Sequence, residues 1–174
     1  MRLYRKIENR ADIKPSVFYL MTSHHPPCQL NRTWEVNVFS HKIYICTRCF
    51  GQYLGIFLSL LFLLTSDFVL KGTLREFLLL CILPFPVIID WLSQTLGFRE
   101  SSNVIRIISG FIFGINLGIL IHFFLNGITL MFITLMVIYV VYAGFVIVLL
   151  RRYDVLGAYL EPYEDFIASD LSSE

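Results

Sequence analysis

The residue types best suited to chemistry crowd into one stretch of this chain. Residues 23–55 (SHHPPCQLNRTWEVNVFSHKIYICTRCFGQYLG) hold three of the four cysteines and three of the four histidines. Cys46 and Cys49 form a C-x-x-C followed two residues later by Gly51, the shape of a zinc knuckle, in which a tight turn aims two thiolates at one ion. A tetrahedral site needs two more ligands. Cys28 and one of His24 or His25 stand upstream to supply them as Cys3His, with His41 as a spare. Zinc is the expected ion and a structural staple its expected role, because a small cap with few apolar groups gains folding free energy directly from a metal. Two other uses remain open. A redox dithiol is one, since Cys49 adjoins Arg48 and a helix start, both of which make a cysteine more reactive. A catalytic or transported metal, an iron-sulfur cluster or a haem is the other.

A second polar group interrupts the apolar part of the chain between Asp90 and Arg106 (DWLSQTLGFRESSNVIR). Asp90 and Gln94 are one helical turn apart and share a face. At 100° per residue, Asn103, Arg106 and Gly110 fall within about 60° of arc. Asp90 and Arg106 lie at similar distances from the middle of the intervening turn, so an antiparallel helix pair sets them level, on the order of 10 Å inside the helix ends. A charge at that depth faces protein and finds a partner, and the expected pair is Asp90 with Arg106. Arg99, Ser102, Asn103, Arg106 and the start of the following helix also offer donors suited to a phosphate or carboxylate.

The elements that position these groups follow from hydropathy. The chain is 56% hydrophobic with a mean hydropathy of +0.69, which makes the bilayer its solvent. Four apolar runs, at about 51–70, 74–92, 103–125 and 128–150, each approach the ~20 residues that span a hydrocarbon core. The expected fold is an all-α membrane protein, a four-helix transmembrane bundle beneath a small N-terminal zinc-knuckle and β-hairpin cap (1–50), with an acidic tail (151–174). Trp34 to Cys46 alternates apolar and polar residues around Ser40 and His41, a hairpin that delivers Cys46 to a strand end. Pro84 and Pro86 should kink span two. Gly97 should close it, and Ser101 or Ser102 should cap span three. Gly110, Gly114 and Gly118 form a row of small residues that admits a close helix neighbour. The piece from Val17 to Met21 is too short for a cleavable signal peptide, so the first span is expected to serve as the targeting signal.

Twelve of the fourteen Lys and Arg residues fall on the side of the cap, the span two to three loop and the tail. That side is expected to be cytoplasmic, with both termini inside and the protein multi-pass in the plasma membrane. A net charge of +1 gives no bulk attraction to nucleic acid.

The order Ser-His-His-Pro-x-Cys, hairpin, Cys-x-x-Cys and four spans resembles the prokaryotic, especially archaeal, membrane proteins grouped as domain of unknown function 2085. The resemblance covers about residues 20–125 and rests on His24, His25, Cys28, Cys46 and Cys49, then Asp90, Gly97, Arg99, Ser102, Asn103 and Arg106. It implies a small polytopic membrane protein with a metal-binding cysteine cluster. The residues together point to a non-catalytic protein whose zinc-stapled cap covers an Arg/Asp-lined notch for an anionic lipid headgroup or small anion. The notch is expected to draw on Asp90, Gln94, Arg99, Ser102, Asn103 and Arg106, with membrane lipids as partners and a homo-oligomer or larger membrane complex as a further possibility. A membrane thiol oxidoreductase using the C-x-x-C pair, and an enzyme on a lipid-linked phosphate, are the alternatives.

Overall fold

The computed structural model describes residues 17–23, 25, 27–38, 41–66, 70–127, 129–153 and 155. His24, the side chains of Cys28 and His41, and nearly all of the acidic tail lie outside the described residues. The chain is mostly helical, with a small hairpin near its N-terminus. A short helix α1 (Val17–Thr22) and a 3-10 turn (Pro27–Arg32) precede strands β1 (Thr33–Val38) and β2 (His41–Cys46). The strands pair antiparallel in a register that sets Thr33 opposite Cys46 and Glu35 opposite Tyr44. Thr33, Tyr44 and Cys46 are buried, while Trp34 and Val36 on the other face are exposed. The apolar face of the hairpin thus turns away from the cap interior, and the Trp34 ring packs at 5.2 Å, tilted by 55°, against Phe50 in the first turn of the next helix.

Four helices are long and apolar enough to cross a membrane: Thr47–Thr65, Leu74–Thr95, Asn103–Leu125 and Leu130–Arg152. The first, α2 (Thr47–Thr65), begins immediately after β2. The C-x-x-C therefore straddles a strand-to-helix junction instead of forming the tight turn of a knuckle. The cause is the chain's own polarity: pairing with β1 ends at Cys46, and the apolar run that follows must satisfy its backbone internally to enter lipid.

The second span is two helices, α3 (Leu74–Ile82) and α4 (Phe85–Thr95), broken at Pro84 as two prolines require. Thr73 and Glu76 close a reciprocal capping box at its start. Proline at 84 leaves the carbonyl of Leu80 without its helical donor, and a neighbour supplies one. The Tyr139 hydroxyl donates to Leu80 O at 2.9 Å, and Asn116, fully buried, donates to the same hydroxyl at 2.9 Å. Tyr142 likewise donates to Cys81 O at 3.3 Å. Both tyrosines sit on α6 (Leu130–Arg152), which is otherwise the least buried span. Tyr139→Phe is expected to lower stability by about 1–2 kcal/mol, because a buried carbonyl loses its donor in a solvent that offers none. Pro84→Ala should recover part of that loss by restoring the helical N–H. Thermal melting of the two single variants and the double in detergent measures this, and additive effects would show that the hydroxyl does not serve the kink.

Gly97, at φ +74°, closes α4, and Ser102 caps α5 (Asn103–Leu125) by accepting from Ile105 N–H. α5 is the centre of the bundle. Its glycine row faces α2, which runs parallel to it and contributes Gly51 and Gly55 to the same seam. A methyl group at Gly51 would fall on the Ile107 carbonyl, one at Gly55 on that of Phe111, and one at Gly114 on that of Gln52. The two backbones therefore touch, a distance that side chains larger than hydrogen would not permit. At the end away from the cap, Leu80, Leu120, Phe123 and Leu135 make the apolar core between α3, α5 and α6.

Candidate functional site

The seam between α2 and α5 fixes which polar groups meet. The Arg48 carbonyl lies against Gly110 and Gly51 lies against Ile107, so α2 starts about one helical turn deeper than α5. At that level it meets α4. Arg48 Nη2 contacts Asp90 Oδ2 at 2.5 Å, and Arg99 Nη2 reaches the other oxygen at 3.1 Å. Asp90 is only 2% exposed. This corrects the pairing expected from the sequence, in which Asp90 met Arg106. Gln94 is the residue level with Arg106, because α4 stops at Thr95 while α5 starts only at Asn103.

Gln94 joins the two charges. Its Nε2 donates to the Asp90 carboxylate at 2.9 Å and to the Asp90 carbonyl at 2.7 Å. Its Oε1 accepts from Arg106 Nη2 at 2.8 Å and Nε at 3.1 Å. Arg106 is 4% exposed, and its remaining described hydrogen bond runs from Nη1 to Asn103 Oδ1 at 3.4 Å. A buried guanidinium thus rests on two neutral amides. Asn103 also lies 3.5 Å from the Thr47 hydroxyl, which donates to Arg32 O at 3.1 Å. These contacts tie the start of α2 to the start of α5 and to the turn before β1.

The cap delivers a different chemistry to the same place. Ser23 and His25 form a tight hydroxyl-to-backbone turn, with His25 N–H donating to Ser23 Oγ at 3.3 Å. The Tyr19 hydroxyl donates to His25 O at 2.8 Å, and Tyr19 is itself held edge-on against Tyr44 of β2 at 6.0 Å. His25 is thereby placed with Nε2 3.4 Å from Cys46 Sγ. The Cys46 and Cys49 side chains lie against each other.

His25, Cys46 and Cys49 line one side of a cavity of about 80 Å³; Arg32, Arg48 and Arg106 line it too, with Trp91, Gln94 and Thr95 completing the wall. Of the residues expected in a ligand notch, Gln94 and Arg106 reach this cavity, and Asp90 supports it from behind. Arg99 is half exposed and serves Asp90 and Ser93. Ser102 is occupied as a helix cap, and Asn103 as a bracket between Thr47 and Arg106. Arg32, Arg48, Trp91 and Thr95 were not expected there. An arginine placed in the first turn of a transmembrane helix was the available signal for Arg48, because such a charge needs a buried partner.

Two ligands of a tetrahedral zinc, with Zn–S about 2.3 Å and Zn–N about 2.0 Å, stand ~3.5 Å apart. The separation of His25 Nε2 from Cys46 Sγ fits that spacing. Among the described residues, no group of three or more His, Cys, Asp or Glu side chains is arranged to hold a metal.

A family described as "Predicted membrane protein (DUF2085)" matches residues 29–120, just over half of the chain. The match runs from the turn before β1 to near the end of α5, and it includes Arg32, Cys46, Arg48, Cys49, Asp90, Gln94, Arg99 and Arg106. An uncharacterized protein of Methanothermobacter thermautotrophicus is 39% identical over 80 residues, 46% of this chain and 70% of the relative. One from Methanocaldococcus jannaschii is 35% identical over 81 residues, 44% of this chain and 49% of that relative. No solved structure matches the chain significantly. With its four apolar helices and a match across the hairpin, the C-x-x-C and the α2–α5 seam, the chain belongs to the DUF2085 family of membrane proteins.

Proposed function

We propose that this protein binds a phosphate- or carboxylate-bearing anion in the cavity between its cap and the starts of α2 and α5. The observation that carries this reading is a charge imbalance. Three guanidinium groups, Arg32, Arg48 and Arg106, line one small cavity. Among the described residues, one carboxylate, Asp90, contacts one of them, Arg48, and it is shared with Arg99. Buried cations without full compensation are costly, and a small oxyanion that accepts several charge-assisted hydrogen bonds removes the cost. Both oxygens of Asp90 are engaged, so it is a counter-ion and not a poised base, which weakens the reading as an enzyme on a lipid-linked phosphate.

In this reading zinc ties the cap over the cavity, with its ligands drawn from His24, His25, Cys28, Cys46 and Cys49. The metal would supply folding free energy to a cap with little core of its own. His25 would be oriented for it by Tyr19 and Ser23. The charge distribution supports a cytoplasmic cap with both termini inside, in the plasma membrane. The contact between Cys46 and Cys49 favours one other reading, a thiol oxidoreductase.

Metal analysis and calorimetry separate these. The purified chain should carry about one zinc per molecule, lost in Cys46→Ser together with stability of the cap. It should bind inorganic phosphate, with Arg106→Gln weakening binding by about tenfold or more. Metal-free protein that cycles between a Cys46–Cys49 disulfide and dithiol, with no affinity for phosphate, would replace the proposal by the oxidoreductase.

A further inference from the structure

The polar cavity adjoins a larger, apolar recess. Arg48 and Trp91 line the cavity and also line a groove of about 320 Å³ between α4, α5 and α6. That volume is at the lower end of the roughly 300–1,000 Å³ usual for ligand sites. Leu117 of α5 and Ala143 of α6 are among its walls. The hydroxyls of Tyr139 and Tyr142, also in its lining, are committed to the carbonyls at the kink. Past Arg48 the groove therefore offers an apolar chain no competing polar demand. Ala143 at its rim is exposed, on a helix whose Val140, Val141 and Phe145 are exposed too. On a membrane-spanning helix, such a rim opens into hydrocarbon.

Arg48 borders both spaces. Its Nη2 is spent on Asp90, while its buried Nε has no hydrogen-bond partner among the described residues. We infer that the ligand is an amphiphile taken from the bilayer, with a compact anionic head of the phosphate or carboxylate class at Arg48 and Arg106 and one apolar chain laid along the α4–α5–α6 groove. This rests on the anion-binding reading above and names the source of the anion. Charge complementarity sets the polarity of the ligand: Arg48 lies at one end of the groove, beside the cavity that Arg106 lines, and the other end runs toward the membrane interior. An apolar chain gains little by leaving lipid for an apolar groove, so the arginines supply the affinity. The groove offers an apolar chain the room that the ~80 Å³ cavity lacks.

The test uses the full chain in discs of neutral phosphatidylcholine, with inorganic phosphate and dodecyl phosphate as probes. Ala143→Trp, at an exposed position, fills the groove, and a melting curve checks that the variant is folded. It should weaken dodecyl phosphate binding by about tenfold and leave inorganic phosphate unchanged. Arg106→Gln and Arg48→Gln should weaken both. If folded Ala143→Trp binds dodecyl phosphate as the parent does, the groove is not the path of the chain, while the anion site stands. Should both arginine variants bind both probes normally, or the parent bind neither, the anion reading fails and the inference falls with it.

Discussion

Replacing Gly114 with leucine is expected to unseat α5 from α2 and to destabilise the protein by at least ~3 kcal/mol, at or beyond the upper end of ordinary overpacking penalties. The reason is what the new side chain would meet. At Gly114 the neighbours of an added Cβ are the carbonyl and Cα of Gln52, which are backbone atoms of a facing helix and cannot rotate away. The same holds at Gly51 and Gly55, so the helices must separate along the whole seam. Separation also withdraws Arg48 from Asp90 and opens the cavity wall. Gly144→Leu is the matched control: nothing lies within 4 Å of an added Cβ there. Leucine in place of glycine in an exposed helix is otherwise favourable by somewhat under ~1 kcal/mol, so Gly144→Leu should melt at or slightly above the parent temperature. Thermal melting and size-exclusion profiles of the two variants in one detergent make the comparison, and equal behaviour would show that the close approach is not what holds the bundle.

Asp90→Asn is expected to cost about 3–5 kcal/mol, the range for removing one partner of a buried ion pair. Asparagine keeps the shape and part of the hydrogen bonding, but it leaves the guanidinium groups of Arg48 and Arg99 without their shared counter-charge. Pairing Asp90→Leu with Arg48→Met should recover much of the loss, because removing both buried charges is far cheaper than stranding one. Stability and binding should move in opposite directions. Asp90→Asn deletes the only negative charge in contact with the cavity's arginines among the described residues, so inorganic phosphate should bind at least as tightly as to the parent. Chemical or thermal unfolding read alongside calorimetry resolves the two. Loss of phosphate binding in a folded Asp90→Asn variant would make the carboxylate part of the binding machinery and not its counter-ion.

Much of the architecture was legible in the residues because lipid imposes simple rules. The chain must satisfy its backbone in helices of a given length, so four apolar runs became four spans, and two prolines in one run became a break at Pro84. Alternation from Trp34 to Cys46 became the hairpin, with Cys46 at its end. Gly97 and Ser102 were readable as caps because their roles are local. The site was less legible. Asp90, Gln94 and Arg106 could be placed on their helix faces, but their partners could not. Arg48 sat in view between the two cysteines, yet its reach to Asp90 depends on a helix about forty residues later in the chain.

The sequence by itself determined which segments enter the membrane, which end of the bundle carries the cap, and which residue types gather at that end. Those outcomes follow from hydropathy, backbone satisfaction and local turn chemistry, which act within a few residues. Only the tertiary structure decided that α2 and α5 run in contact, with their starts offset by one turn. That offset sets Arg48 level with Asp90, and Gln94 is left to meet Arg106. It also decided that Tyr139 answers the carbonyl freed at Pro84, and that the thiols, the imidazole and three arginines face one cavity. Axial register and rotation between helices come from the fit of their surfaces, here glycine against carbonyl, and no single segment contains that information.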